Sequence, residues 1–133
     1  MQTTATHCPS ELIYTSTHEW IRREADGSVY LGITEHAQAQ LGDIVFVDLP
    51  DTDSAFSEGD EIAVIESVKT AADIYTPITG TIIAINPNLN ETPELINSDS
   101  YHDGWLVQIQ PDNEAELTSL LSAEQYQNNL TAE

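Results

Sequence analysis

The 133-residue chain contains one lysine, Lys69, against 23 aspartates and glutamates. Its two other strong cations, Arg22 and Arg23, lie side by side far upstream. A chain with this balance is not using lysine for solubility or ion pairing. A lysine in a tight turn is ordinarily a solvated charge. The chemically sharper reading is a reactive amine, either a Schiff-base former or an attachment point for a carried group. A catalytic amine needs burial to bring its pKa toward neutrality. Glu66 and Asp73 flank Lys69 instead, and negative neighbours hold an ammonium protonated. The pattern favours an amine that another enzyme acylates.

Other groups with chemical potential are few. Glu19 and His36 could act as acid and base on a small molecule, which keeps an enzyme reading open. The plainer readings are that Glu19, next to Trp20, is an exposed strand carboxylate and that His36, at a helix start, is a capping or surface residue. His18 and His102 have no partner at zinc-ligand spacing. Trp20, Phe46 and Trp105 read as core.

The elements that must hold Lys69 follow from pattern. Strands are expected near residues 60–68 and 72–76, a hairpin with Lys69 at its tip. Asp26-Gly27 between apolar runs marks another hairpin, with strands at 19–24 and 29–33. Thr34 caps a short helix over 35–41 and Gly42 ends it. Residues 44–47, Ile-Val-Phe-Val, read as a buried strand stopped by Pro50, and 81–85 as a further one. Residues 86–100 are turn-rich and too polar for core, anchored through Leu95 and Ile96. Trp105, Val107 and Ile109 alternate onto one strand face. Beyond Pro111, Asp112 or Asn113 caps a helix through Leu120, and Ser122 with Gln125 has capping-box spacing for another. Many short strands with few helices predict a mainly β sandwich or flattened barrel with peripheral helices.

Length suits one domain over 12–133, with 1–11 a loose arm. The net charge of −20 excludes nucleic-acid backbones and anionic membranes as natural partners. It favours salt-sensitive encounters with basic protein surfaces. Cys8 is the only cysteine and fits a reducing compartment. No apolar run is long enough to span a membrane, and neither a signal segment nor an organelle presequence is visible. A cytoplasmic, bacterial-type, monomeric protein is the expectation.

Five ordered blocks carry a resemblance. They are residues 14–20 (Tyr-Thr-Ser-Thr-His-Glu-Trp), 32–38 (Gly-Ile-Thr-Glu-His-Ala-Gln) and 41–50 (Leu-Gly-Asp-Ile-Val-Phe-Val-Asp-Leu-Pro). Then come Glu66-Ser67-Val68-Lys69 with Tyr75-Thr76-Pro77, and Leu95-Ile96-Asn97 with Gly104-Trp105-Leu106. Together the chain resembles the H proteins of the glycine cleavage system. The resemblance implies a barrel-sandwich hybrid, the fold of lipoyl and biotinyl domains. It implies lipoic acid in amide linkage on Lys69. Glycine decarboxylase (P protein) would load an aminomethyl group on the arm. An aminomethyltransferase (T protein) would remove it, and dihydrolipoyl dehydrogenase (L protein) would reoxidise the arm. A lipoate ligase or lipoyltransferase would attach it. The resemblance also places Glu19, His36, Asp73 and Thr17 in a cleft for the loaded arm. There carboxylates would keep the aminomethyl nitrogen protonated, without the lone pair that expels the thiolate. Thr70 stands where a small Ala is common, and Gln108 where a Lys is frequent. A depot for lipoyl groups, or a small acid–base enzyme using Glu19 and His36, are the competing readings. A biotin carrier is disfavoured, because its lysine usually sits between methionines and Met1 is the only methionine here.

Overall fold

The computed structural model describes residues 9–132. Among the described residues, ten strands form two antiparallel sheets that face each other across an apolar core. The strands are β1 (Ile13–Tyr14), β2 (Glu19–Arg23), β3 (Val29–Ile33), β4 (Ile44–Asp48), β5 (Ala55–Phe56), β6 (Glu61–Ser67), β7 (Ala71–Tyr75), β8 (Gly80–Ile85), β9 (Val107–Pro111) and β10 (Leu121–Ser122). The larger sheet runs β10-β1-β2-β3-β9-β8-β5, and the smaller β4-β6-β7. Three short α-helices of the described residues lie outside them: α1 (Glu35–Leu41), α2 (Leu95–Ser98) and α3 (Ala123–Ala132). The mainly β sandwich with peripheral helices is as expected. Residues 1–8, with Cys8 and most of the anticipated loose arm, lie outside the described residues. Pro9 is buried, and its carbonyl accepts from the Tyr14 hydroxyl at 2.6 Å.

Period-two alternation puts Ile21, Leu31, Val107 and Ile109 of the larger sheet into one core with Ile65 and Ile74 of the smaller one, and Ile44 and Val47 of β4 join them. A second cluster of Leu12, Tyr14, Trp20, Tyr101 and Tyr126 seals the outer face of the larger sheet with α3. Gly32 pairs with Trp20, and a Cβ there would stand 2.6 Å from the indole. A methyl group at this position has no room.

Local signals were strong where one residue type decides. Gly27 turns the β2–β3 hairpin at φ 91°. Thr34 caps α1 and Gly42 ends it. Ser122 and Gln125 exchange a reciprocal capping box at 3.0 and 3.2 Å before α3. Asn113 caps a 3-10 helix, Glu114–Ser119, rather than an α-helix.

Three expectations need correction. The segment 44–47 is not a buried strand throughout: Val45 is 53% and Phe46 52% exposed. A bulge between Ile44 and Phe46 breaks the alternation, so two successive side chains face outward while Ile44 and Val47 stay inside. Phe46 is therefore not core. Trp105 is half-buried, precedes β9 rather than belonging to it, and packs edge-on to Tyr30 at 5.0 Å. The polar stretch 86–100 does contribute to the core. Asn86 caps a 3-10 helix whose Leu89 is buried, and Ile96 of α2 is fully buried.

Candidate functional site

Lys69 stands on the turn joining β6 to β7. The Ser67 N–H donates to the Thr70 carbonyl at 2.8 Å. The Ser67 hydroxyl oxygen accepts from the N–H groups of Lys69 and Thr70, both at 3.1 Å. This is the side-chain turn that serine supplies. The Val68 N–H donates to the Asp43 carbonyl at 3.0 Å, which ties the tip to the loop between α1 and β4. That loop is itself clamped by Asn97. Its amide nitrogen donates to the Gly42 carbonyl at 2.9 Å and to Gln38 Oε1 at 2.8 Å. Its oxygen accepts from the Ile44 N–H at 2.9 Å. Lys69 is exposed. Its Cε lies 3.0 Å from where a Cβ on Gly42 would be, so the glycine, at φ 85°, gives the lysine stem its resting place.

Beside the tip opens a cleft of about 200 Å³ with three walls. Thr17 and His18 come from the turn between β1 and β2, and Glu19 from the start of β2. Ala37, Gln40 and Leu41 come from α1, and Ala72 to Tyr75 from β7. Strands advance about 3.3 Å per residue, so Asp73 lies roughly 10 Å down the finger from Thr70. The cleft mixes an apolar floor, Ile33 and Ile74, with carboxylates at its margin.

Glu19 is the buried acid of this cleft, at 2% exposure. The hydroxyls of Thr15 and Thr17 both donate to its Oε1, each at 2.5 Å. They leave Oε2 outside the pair. Burial pushes the Glu19 carboxyl above its ordinary value; the two hydroxyl bonds oppose that without cancelling it. Asp73 is exposed. Its charge raises the phenol of Tyr75, whose hydroxyl lies 3.5 Å from Oδ2.

His36 does not line the cleft; its ring packs on His18 with centroids 4.7 Å apart. His18 is the cleft residue that sequence reasoning passed over. It sits at φ 74°, an uncommon conformation for a side chain of its size. Its Nδ1 lies 2.7 Å from the Tyr126 hydroxyl, which also meets Thr34 Oγ1 at 2.8 Å. One phenol on α3 thus reaches both the β2 wall and the cap of α1. Its sequence signal was only an aromatic at helical spacing.

A separate hollow of about 430 Å³ lies against Arg22, Tyr30, Tyr101 and Trp105. There the Arg22 guanidinium is 4.9 Å from the Tyr30 ring centre and donates to the Tyr101 carbonyl at 3.0 Å. This cation is committed to structure. No helix of the described residues is long and apolar enough to cross a membrane.

Residues 12–133 match the model of the family described as "Glycine cleavage H-protein". Glycine cleavage system H proteins of Psychrobacter sp. (strain PRwf-1) and Salmonella arizonae are each 56% identical over 119 residues. That covers 90% of this chain and 94% and 92% of theirs. The H protein of Alteromonas mediterranea is 53% identical over 125 residues, covering 94% of this chain and 97% of its own. A crystal structure of a glycine cleavage system H protein from Mycobacterium marinum superposes with a TM-score of 0.82. It shares 37% identity and covers 92% of this chain and 98% of that one. An exposed lone lysine on a rigid turn, a half-apolar cleft beside it and these likenesses converge: the chain belongs to the glycine cleavage H-protein family and is a carrier rather than an enzyme.

Proposed function

We propose that Lys69 is the lipoyl attachment site, and that the arm it carries passes between glycine decarboxylase, aminomethyltransferase and dihydrolipoyl dehydrogenase. A lipoate ligase or lipoyltransferase would supply the arm. The observation that carries this reading is the position of the chain's one lysine, exposed on a turn with five hydrogen bonds fixing its base, the fifth from the Ser67 hydroxyl to the Thr70 carbonyl. The residues present fit the group. The amine is accessible for amide formation, and the adjoining cleft offers apolar walls to a hydrocarbon arm. When bound, the lipoyl group supplies a disulfide that accepts electrons and a one-carbon amine.

The protein's part is to hold a proton. Glu19, Thr17 and Asp73 border the cleft in which a cationic amine would rest. A carboxylate beside an ammonium favours its charged form, and about 1.4 kcal/mol of such attraction makes the proton tenfold harder to remove. Glu19 is fitted to this role because its own charge is disfavoured by burial; an arriving cation relieves that cost. Thr15 and Thr17 aim the carboxylate. His36 supports the β2 wall through His18 rather than touching the cargo.

The test uses lipoylated protein loaded with glycine-derived amine and removed from the decarboxylase. Glu19→Gln and Asp73→Asn are expected to release formaldehyde and ammonia several-fold faster than wild type. Unchanged release from both would remove the protective role. Lys69→Arg is expected to give no NADH with dihydrolipoyl dehydrogenase; NADH formation at the wild-type rate would remove the attachment site.

A further inference from the structure

We propose that the outward bulge of β4, Val45 and Phe46, together with Val68 at the tip, is the docking surface for the enzyme that acylates Lys69. This rests on the attachment reading above. Three large apolar side chains, exposed at 53%, 52% and 66%, stand beside the modifiable amine. The bulge between Ile44 and Phe46 has a specific consequence: it turns two neighbouring residues outward where regular pleating would show one. The Val68 N–H bond to the Asp43 carbonyl, 3.0 Å, draws the tip onto the start of β4. Phe46 pairs with Glu66, and Asp48 pairs with Val64 opposite Asp73. Paired residues share a sheet face, so the patch carries an acidic border of Asp48, Glu66 and Asp73.

Two considerations choose the occupant. An enzyme acting at the far end of a tether can dock anywhere within its reach. The acylating enzyme must bring an activated acyl carbon to bonding distance of Nζ, so it alone is obliged to cover the turn and the bulge next to it. Its chemistry is a transfer from an acyl-adenylate. The nitrogen–carbonyl bond forms, the acyl–phosphate bond breaks, AMP leaves with the electron pair, and the starting ammonium gives up two protons. Charge complementarity fixes the rest: an apolar patch with a carboxylate border on a chain of net charge −20 fits an apolar socket with a basic rim.

The test compares acylation of full-length protein by a lipoate ligase with ATP and lipoate. The variants are Val45→Ser, Phe46→Ser and Ile83→Ser; Ile83 is 39% exposed on β8 of the other sheet. Because all three side chains are exposed, far-UV dichroism and melting temperature are expected to stay at wild-type values. Val45→Ser and Phe46→Ser are expected to lower kcat/KM about tenfold, mainly through KM, and the wild-type rate to fall with added salt. Ile83→Ser is expected to match wild type. Equal rates for all four proteins, or an equal loss in Ile83→Ser, would overturn the docking surface while leaving Lys69 as the attachment site. The same holds if the bulge variants slow only the decarboxylase step. A wild-type chain that stays unmodified would overturn both.

Discussion

Removing one oxygen from Tyr126 separates the structural frame of the cleft from its chemistry. In Tyr126→Phe the ring remains, so its stack on Tyr14, with centroids 4.8 Å apart and planes 7° from parallel, is kept. What is lost is the hydroxyl that reaches His18 Nδ1 at 2.7 Å and Thr34 Oγ1 at 2.8 Å. Thr34 is fully buried and keeps its capping bond from the Ala37 N–H at 3.2 Å, so α1 remains capped. Two bonds at about 1 kcal/mol each give a loss of about 2 kcal/mol. For a chain of this length the unfolding entropy is about 0.3 kcal/mol per degree, so the melting temperature should fall by about 7 °C. His18 holds φ 74° with the help of that hydroxyl, and its ring resonances should broaden in the variant. Calorimetry and histidine-selective NMR read both quantities. A fall of less than about 2 °C with an unchanged His18 spectrum would refute the idea that α3 braces the cleft.

Burial raises the Glu19 carboxyl above its ordinary value of 4.5. The folded state therefore binds this proton more tightly than the unfolded state does. The resulting stability is fully present below pH 4.5 and is lost as pH rises through the folded value. Glu19→Gln cannot lose it and can still accept both threonine hydroxyls. Its urea midpoint should gain on wild type progressively above pH 4.5; a gap independent of pH would contradict the burial argument. Gly42→Ala must place a side chain at φ 85°, ψ −157°, at a cost of about 1–3 kcal/mol. It also pushes on the lysine stem, so both the unfolding midpoint and the acylation rate should drop. Ser67→Ala removes the acceptor of two turn N–H groups and should cost about 1 kcal/mol, read as faster amide exchange at Lys69 and Thr70.

What the sequence revealed were features decided by single residue types. The lone lysine, the Asp26-Gly27 turn, the Thr34 cap and the Gly42 stop each have a local physical cause, and they stand in the fold accordingly. Asp73 and Thr17 line the cleft with Glu19, although only the resemblance brought them together. Pattern failed where tertiary contacts decide. The four apolar residues at 44–47 look uniformly buried until β6 imposes a bulge. Glu19, beside a tryptophan, looks like a surface carboxylate until two threonine hydroxyls converge on it. Asn97 shows its value only when α2 lies against the loop that carries Gly42. His18 and Tyr126 are 108 positions apart, and no local periodicity joins them.

The most direct measurement is of where the acyl group goes. Purified chain is incubated with lipoate, ATP and a lipoate ligase, beside Lys69→Arg, and both are weighed intact and as proteolytic peptides. Wild type is expected to gain the mass of one lipoyl group, confined to the peptide that contains Lys69, and the arginine variant to gain none. A wild-type chain that remains unmodified, or an arginine variant that takes up the group elsewhere, would contradict the assignment of Lys69 as the carrier amine.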